Sequence, residues 1–169
     1  MPGQGKRLDA DPLANNQERL TIEHEAAHAT IYLLQGETLA YVDAGPDQPL
    51  TALAHPRRRH VDLAATAAIA GQLIEARYGT DIRASLAELV DALEDDPDCE
   101  DYLEHDLAIF VRFPEAFDVA HTMADLLLNT HRALHEELSD ALWSAPGHRL
   151  NAADIAALPI AGPLQFGYI

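Results

Sequence analysis

Apolar positions recur at helical spacing through residues 16–35, where Ile22, Ala27, Ile31 and Leu34 fall within one repeat. Asn15 or Asn16 is the expected N-cap, and Gly36 sits where a helix-ending glycine belongs. Residues 38–43 and 50–54 are short strand-like runs. Ala44-Gly45-Pro46-Asp47-Gln48-Pro49 separates them, and this turn chemistry predicts a small hairpin. Helices dominate afterwards. Residues 61–78 are alanine-rich and stop at Gly79, and in residues 81–94 Ile82, Leu86, Leu89, Val90 and Leu93 share one face. A helix is expected over 102–112. Pro114 is placed to open a long helix reaching residue 143, which Ala145-Pro146-Gly147 ends. Asn151 is expected to cap a last short helix over 152–158. The pattern predicts a mainly α fold, a helical domain with a small β-hairpin, spanning residues 15–160. Residues 1–14 read as a flexible polar arm and 161–169 as an irregular tail.

Charge narrows the partners. With 28 acidic and 11 basic residues the chain carries a formal −17, which repels phosphate backbones and argues against nucleic acid. A single cysteine, Cys99, leaves no internal disulfide and fits a reducing, cytoplasmic setting. The first residues lack the apolar stretch of a signal peptide. The longest apolar candidate, 63–70, falls far short of the ~18 residues of a membrane span, so no membrane association is expected.

Candidate chemistry lies in His24-Glu25-Ala26-Ala27-His28, an HExxH pattern inside the first helical segment. Residues four apart share a helix face, so His24 and His28 can each aim a ring nitrogen at one metal ion. Glu25 is rotated about 100° from His24, suited to reach a water rather than to bind the ion closely. That spacing yields two ligands and a general base from one turn, the arrangement of a zinc hydrolase. A catalytic zinc needs a third protein ligand. The extended HExxHxxGxxH pattern would put a glycine at position 31 and a histidine at 34, but Ile31 and Leu34 stand there. Glu75, Glu104, His105, Asp106 and His121 remain as donors, and spacing does not choose among them.

The stretch HEAAHATIYLL, residues 24–34, resembles the HEAGHA segment of the peptidase domain of FtsH-type AAA zinc metalloproteases, with Ala27 in place of the usual glycine. Ala70-Gly71-Gln72-Leu73-Ile74-Glu75-Ala76 resembles that family's GGRxAEE segment, with Gln72 and Ala76 in place of the arginine and the second glutamate. Asp106-Leu107-Ala108 resembles its (S/N)DL segment, and Leu126-Leu127-Leu128 with Leu134, Leu138, Leu142, Leu150-Asn151 and Asp154-Ile155 resemble its C-terminal helices. Together these run from about residue 16 to 158. The segment between Glu75 and Asp106 is longer than the family's and holds an extra amphipathic helix.

The resemblance implies a zincin-like fold with HExxH on a central helix. It implies Zn²⁺ held by His24, His28 and Asp106, with Glu25 as the catalytic base and Glu75 as support behind a ligand. The implied activity is hydrolysis of peptide bonds in unfolded or flexible polypeptides. The alternative is a catalytically silent zinc-binding domain of the same fold that binds a partner protein. The family's ATPase module would need a G-x-x-x-x-G-K-[ST] loop, and Gly3-Gln4-Gly5-Lys6-Arg7 is not one. The resemblance therefore covers the peptidase part alone, with a polypeptide substrate and a separate motor or adaptor protein as partners. It leaves the oligomeric state open.

Other features read more plainly. His55-Pro56-Arg57-Arg58-Arg59-His60 is the one basic cluster and is expected to be a solvated loop balancing nearby acids, the alternative being a patch that attracts acidic substrates or a partner. His131 and His135 repeat the i, i+4 spacing without a glutamate and read as a helix face. The acidic run over 94–101 lacks the register of a calcium loop and reads as exposed. The strand over 50–54 is either an ordinary covered strand or a free edge able to pair with an extended peptide.

Overall fold

The computed structural model describes residues 12–165, with side chains from residue 16 onward. Helix α1 covers Pro12–Leu34. Proline is at home in the first turn of a helix, so α1 starts four residues before the expected position. The arm expected over 1–14 lies outside the described residues up to residue 11. The far end of α1 closes as a Schellman turn. Gly36 adopts φ +77°, its N–H donates to the Leu33 carbonyl at 3.0 Å, and the Glu37 N–H donates to the Tyr32 carbonyl at 3.0 Å.

The hairpin follows as β1, Leu39–Asp43, and β2, Leu50–Leu53, paired antiparallel with Val42 opposite Thr51. A third strand, β3, Arg149–Asn151, pairs antiparallel with β1 on its other side. The sheet order β2-β1-β3 leaves β2 as an edge among the described residues. Three residues are too few to show a period-2 pattern, so β3 has no sequence signature.

Helix α2, Val61–Arg77, and α3, Ile82–Asp95, match expectation; Asp81 caps α3 by accepting the Ala84 N–H at 3.1 Å. Two expected helices are broken. Residues 102–112 form α4, Glu100–Leu103, and α5, Ala108–Arg112. Between them the His105 ring accepts the Leu107 N–H at 3.1 Å, a local bond that competes with helix continuation. The span opened by Pro114 becomes a 3₁₀ turn over Pro114–Ala116, then α6, Phe117–Thr130, and α7, Arg132–Ser144. The break falls at His131, at φ −108° and ψ 36°. It lets α6 and α7 pack into different halves of the core.

Those halves share α1. Ala27 and Ile31 pack with Ile69, Leu73, Phe110, Phe117 and Leu128. Ile22, Ala26, Ala29 and Leu33 face the other way, onto Leu39, Val42, Leu138, Leu142 and Ile155. A helix buried on both faces has to be apolar around most of its circumference, and the alanines let neighbours approach closely. Helix α8, Ala152–Ala156, begins with a capping box between Asn151 and Asp154. The tail expected to be irregular contains α9, Ala161–Gln165; the N–H groups of Ala161 and of Ile160 just before it reach the Glu137 carboxylate at 2.8–3.0 Å. Its buried Gln165 donates to the Leu39 carbonyl at 2.7 Å and accepts the Leu39 N–H at 2.9 Å, standing in for a strand partner. Residues 166–169 lie outside the described residues. No helix is long and apolar enough to cross a membrane among the described residues.

Candidate metal centre

The two histidines project from the middle of α1 toward α2 and the 104–107 turn. His24 is a core neighbour of Gly71 on α2: a β-carbon at position 71 would collide with the imidazole. The missing side chain is what makes room for the ring. His24 Nδ1 donates to Glu75 Oε1 at 2.7 Å, one turn along α2 from Gly71. His28 Nδ1 donates to the backbone carbonyl of Ala67, also on α2, at 2.7 Å. Both Nδ1 protons are therefore committed, which fixes the tautomers and turns both Nε2 atoms inward.

The inward atoms converge with Asp106. Its Oδ2 lies 3.0 Å from His24 Nε2 and 3.2 Å from His28 Nε2, and the two Nε2 atoms are 2.9 Å apart. Two imidazole lone pairs and a carboxylate oxygen crowded this closely need a positive charge among them. Ligand atoms bound at about 2.0–2.1 Å to one tetrahedral ion stand roughly 3.3–3.4 Å apart, so this triangle is only slightly tight for such an ion. The side chains of His24, Glu25 and His28 each place one donor atom within 4.8 Å of the others, and this group could hold a metal ion. Asp106 Oδ2 lies well inside that 4.8 Å spread from both Nε2 atoms.

Without a metal, protons supply the positive charge. Burial works to lower the His24 pKa, but the hydrogen bonds its ring donates to the Asp106 and Glu75 carboxylates outweigh it and raise it to about 10. Burial likewise opposes His28 protonation, and the Asp106 charge overcomes it. Asp106 is held well below the usual carboxylate range: burial disfavours its charge, and the His28 and His24 rings more than compensate.

Glu25 is buried at 6% exposure, and that burial raises its pKa despite both histidines and a hydrogen bond from Thr51. The Thr51 hydroxyl lies 2.8 Å from Glu25 Oε2 and 3.1 Å from the Glu25 backbone carbonyl. Thr51 belongs to β2, so the edge strand touches the acid directly. Glu25, His28, Tyr32, Leu50, Thr51, Glu104 and Asp106 line a cleft of about 520 Å³.

The remaining donors separate. Glu104 lines the cleft without joining the triangle, His105 accepts the Leu107 N–H, and His121 stands by Phe117 with ring centroids 6.0 Å apart. In the basic loop, Arg57 and Arg59 both reach the buried Glu37 carboxylate, at 3.0 and 3.3 Å, and Arg59 lies 5.1 Å over the Tyr32 ring. That loop is thus partly a structural clamp on the end of α1. His135 is buried and donates to the Glu23 carbonyl at 2.9 Å, while His131 is exposed at the helix break. The acidic run over 94–101 is exposed apart from Cys99, Asp101 included.

Sequence reasoning did not reach Thr51, the Ala67 carbonyl or the steric part played by Gly71. Only Gly71 left a signal, as an isolated glycine in an otherwise helical pattern. No family model, no curated protein and no solved structure matches the chain.

Proposed function

We propose that the protein is a zinc metallopeptidase acting on unfolded or flexible polypeptides. The observation that carries this is the triangle of His24 Nε2, His28 Nε2 and Asp106 Oδ2 beside the buried Glu25 carboxylate, in a cleft bordered by an edge strand. The segments resembling the FtsH-type peptidase domain add support, since they assign the same residues. The fold would then be a zincin-like variant, with HExxH on its central helix.

His24, His28 and Asp106 would hold Zn²⁺. When bound, zinc supplies Lewis acidity, lowering the pKa of water and offsetting charge on a carbonyl oxygen. The chain's own residues do the rest. Glu75 and the Ala67 carbonyl keep the imidazoles in the tautomer that leaves Nε2 free. Glu25 takes a proton from the attacking water on its carboxylate and returns it to the leaving amine. The edge of β2, unpaired among the described residues, would offer backbone groups to an extended chain, which favours unfolded substrates over folded ones. Folded substrates would need a separate unfolding partner.

The test compares zinc-loaded wild type with Glu25→Gln on an unfolded protein, with a chelator control. Cleavage that the chelator stops and the variant lacks supports hydrolysis here, because an amide cannot accept the proton. Negligible cleavage by both points instead to a silent zinc-binding interaction domain.

A further inference from the structure

Glu25 is held from outside its own helix. Among the described residues, the hydrogen-bond donor to its carboxylate is Thr51, whose hydroxyl lies 2.8 Å from Oε2. Thr51 sits within β2, opposite Val42 of β1, so backbone pairing fixes its position. The hydroxyl has one proton and also lies 3.1 Å from the Glu25 backbone carbonyl, but its contact with Oε2 is the shorter of the two, and Oε1 takes no part in either. The bond is to a charged acceptor in a buried place, the class of hydrogen bond that counts most.

We infer that Thr51 is a positioning residue for Glu25, locking the carboxylate so that one oxygen faces the reacting water. This rests on the peptidase proposal for its kinetic consequence. It goes beyond it by tying the base to the edge strand. The strand that would receive a substrate backbone is also the strand that aims the base. Thr51 itself touches no reacting atom.

Two replacements separate the hydrogen bond from packing. Valine is shaped like threonine and suits a strand, so Thr51→Val removes the bond while filling the space. Serine restores the hydroxyl without the methyl group.

The experiment uses zinc-loaded wild type, Thr51→Val and Thr51→Ser, each checked for zinc content and melting temperature. In a peptide assay, Thr51→Val should lose about 10- to 100-fold in kcat with KM within about twofold, the loss expected for one hydrogen bond to a charged group. Thr51→Ser should recover to within about threefold of wild type. Crystal structures of the three proteins give a reading independent of activity. Glu25 should keep one carboxylate position in wild type and Thr51→Ser, and shift or split over several rotamers in Thr51→Val. An unmoved carboxylate in Thr51→Val overturns the inference. So does a kcat loss shared equally by valine and serine, which would reveal packing. A wild type without chelator-sensitive hydrolysis would sink the peptidase proposal instead, and the Glu25 positions would then decide Thr51 alone.

Discussion

The imidazole of His24 occupies the space that a side chain on Gly71 would fill. Helices α1 and α2 are thereby keyed together at a candidate ligand residue. Gly71→Ala should displace the ring and lower zinc affinity by at least about tenfold, while circular dichroism shows the helices intact. Affinity is measured by competition with a chelator, and an unchanged constant would refute the steric account. The replacement is informative because alanine is otherwise the better helix former, by ~1 kcal/mol.

Zinc should bind at about one ion per chain. His24→Ala or His28→Ala should abolish binding, and Asp106→Ala should lose most of it. Glu104→Ala and His105→Ala should change little, since neither side chain reaches the triangle. Glu75→Gln should cost about 10- to 100-fold, as the loss of a carboxylate behind a ligand histidine does. Elemental analysis and chelator competition check all six. Zinc retained by Asp106→Ala but lost by Glu104→Ala would reassign the third ligand.

Zinc entry should expel protons. With a folded pKa of about 10, His24 is protonated in the metal-free chain at neutral pH, and a ligand nitrogen has to be free. Zinc affinity should therefore climb as pH rises from 6 to 9. Titration calorimetry in two buffers of different ionisation enthalpy should give different apparent heats. Identical heats would mean that no proton leaves.

His135 makes a separate pH prediction for the fold. Burial lowers its pKa in the folded chain, while the unfolded chain keeps an ordinary value of about 6.5. The unfolded state therefore binds the proton first. Stability from a neutral His135 is present above that value and is lost as pH falls through it toward the folded pKa. Denaturant unfolding between pH 7.5 and 5 should show a shallower loss for His135→Gln than for wild type. Parallel curves would show that His135 does not contribute to the slope.

Local pattern reveals much of this molecule. Gly36, the alanine-rich α2, the Asn151 cap and the hairpin turn each act over a few residues, and each lies close to its expected place. HEAAH is legible for the same reason, because four-residue spacing is a property of one helix. What escaped depends on distant contacts. Asp106 lies 82 positions from His24, so spacing alone left five donors open. Thr51 looks like any strand threonine until its distance to Glu25 is known. The break at His131 has no proline or glycine to announce it. It follows from Leu128 and Leu134 belonging to opposite halves of the core.

Because α1 is the common wall of both halves, the site has two separate suppliers. Gly71, Glu75 and Asp106 come from the side that holds α2 and α5, and Thr51 comes from the side that holds the sheet. A chain with only one half docked owns two histidines and an acid that is either unaimed or without its neighbouring carboxylate. In the proposed peptidase such a chain would hold an incomplete centre, so hydrolysis would wait until both halves have docked.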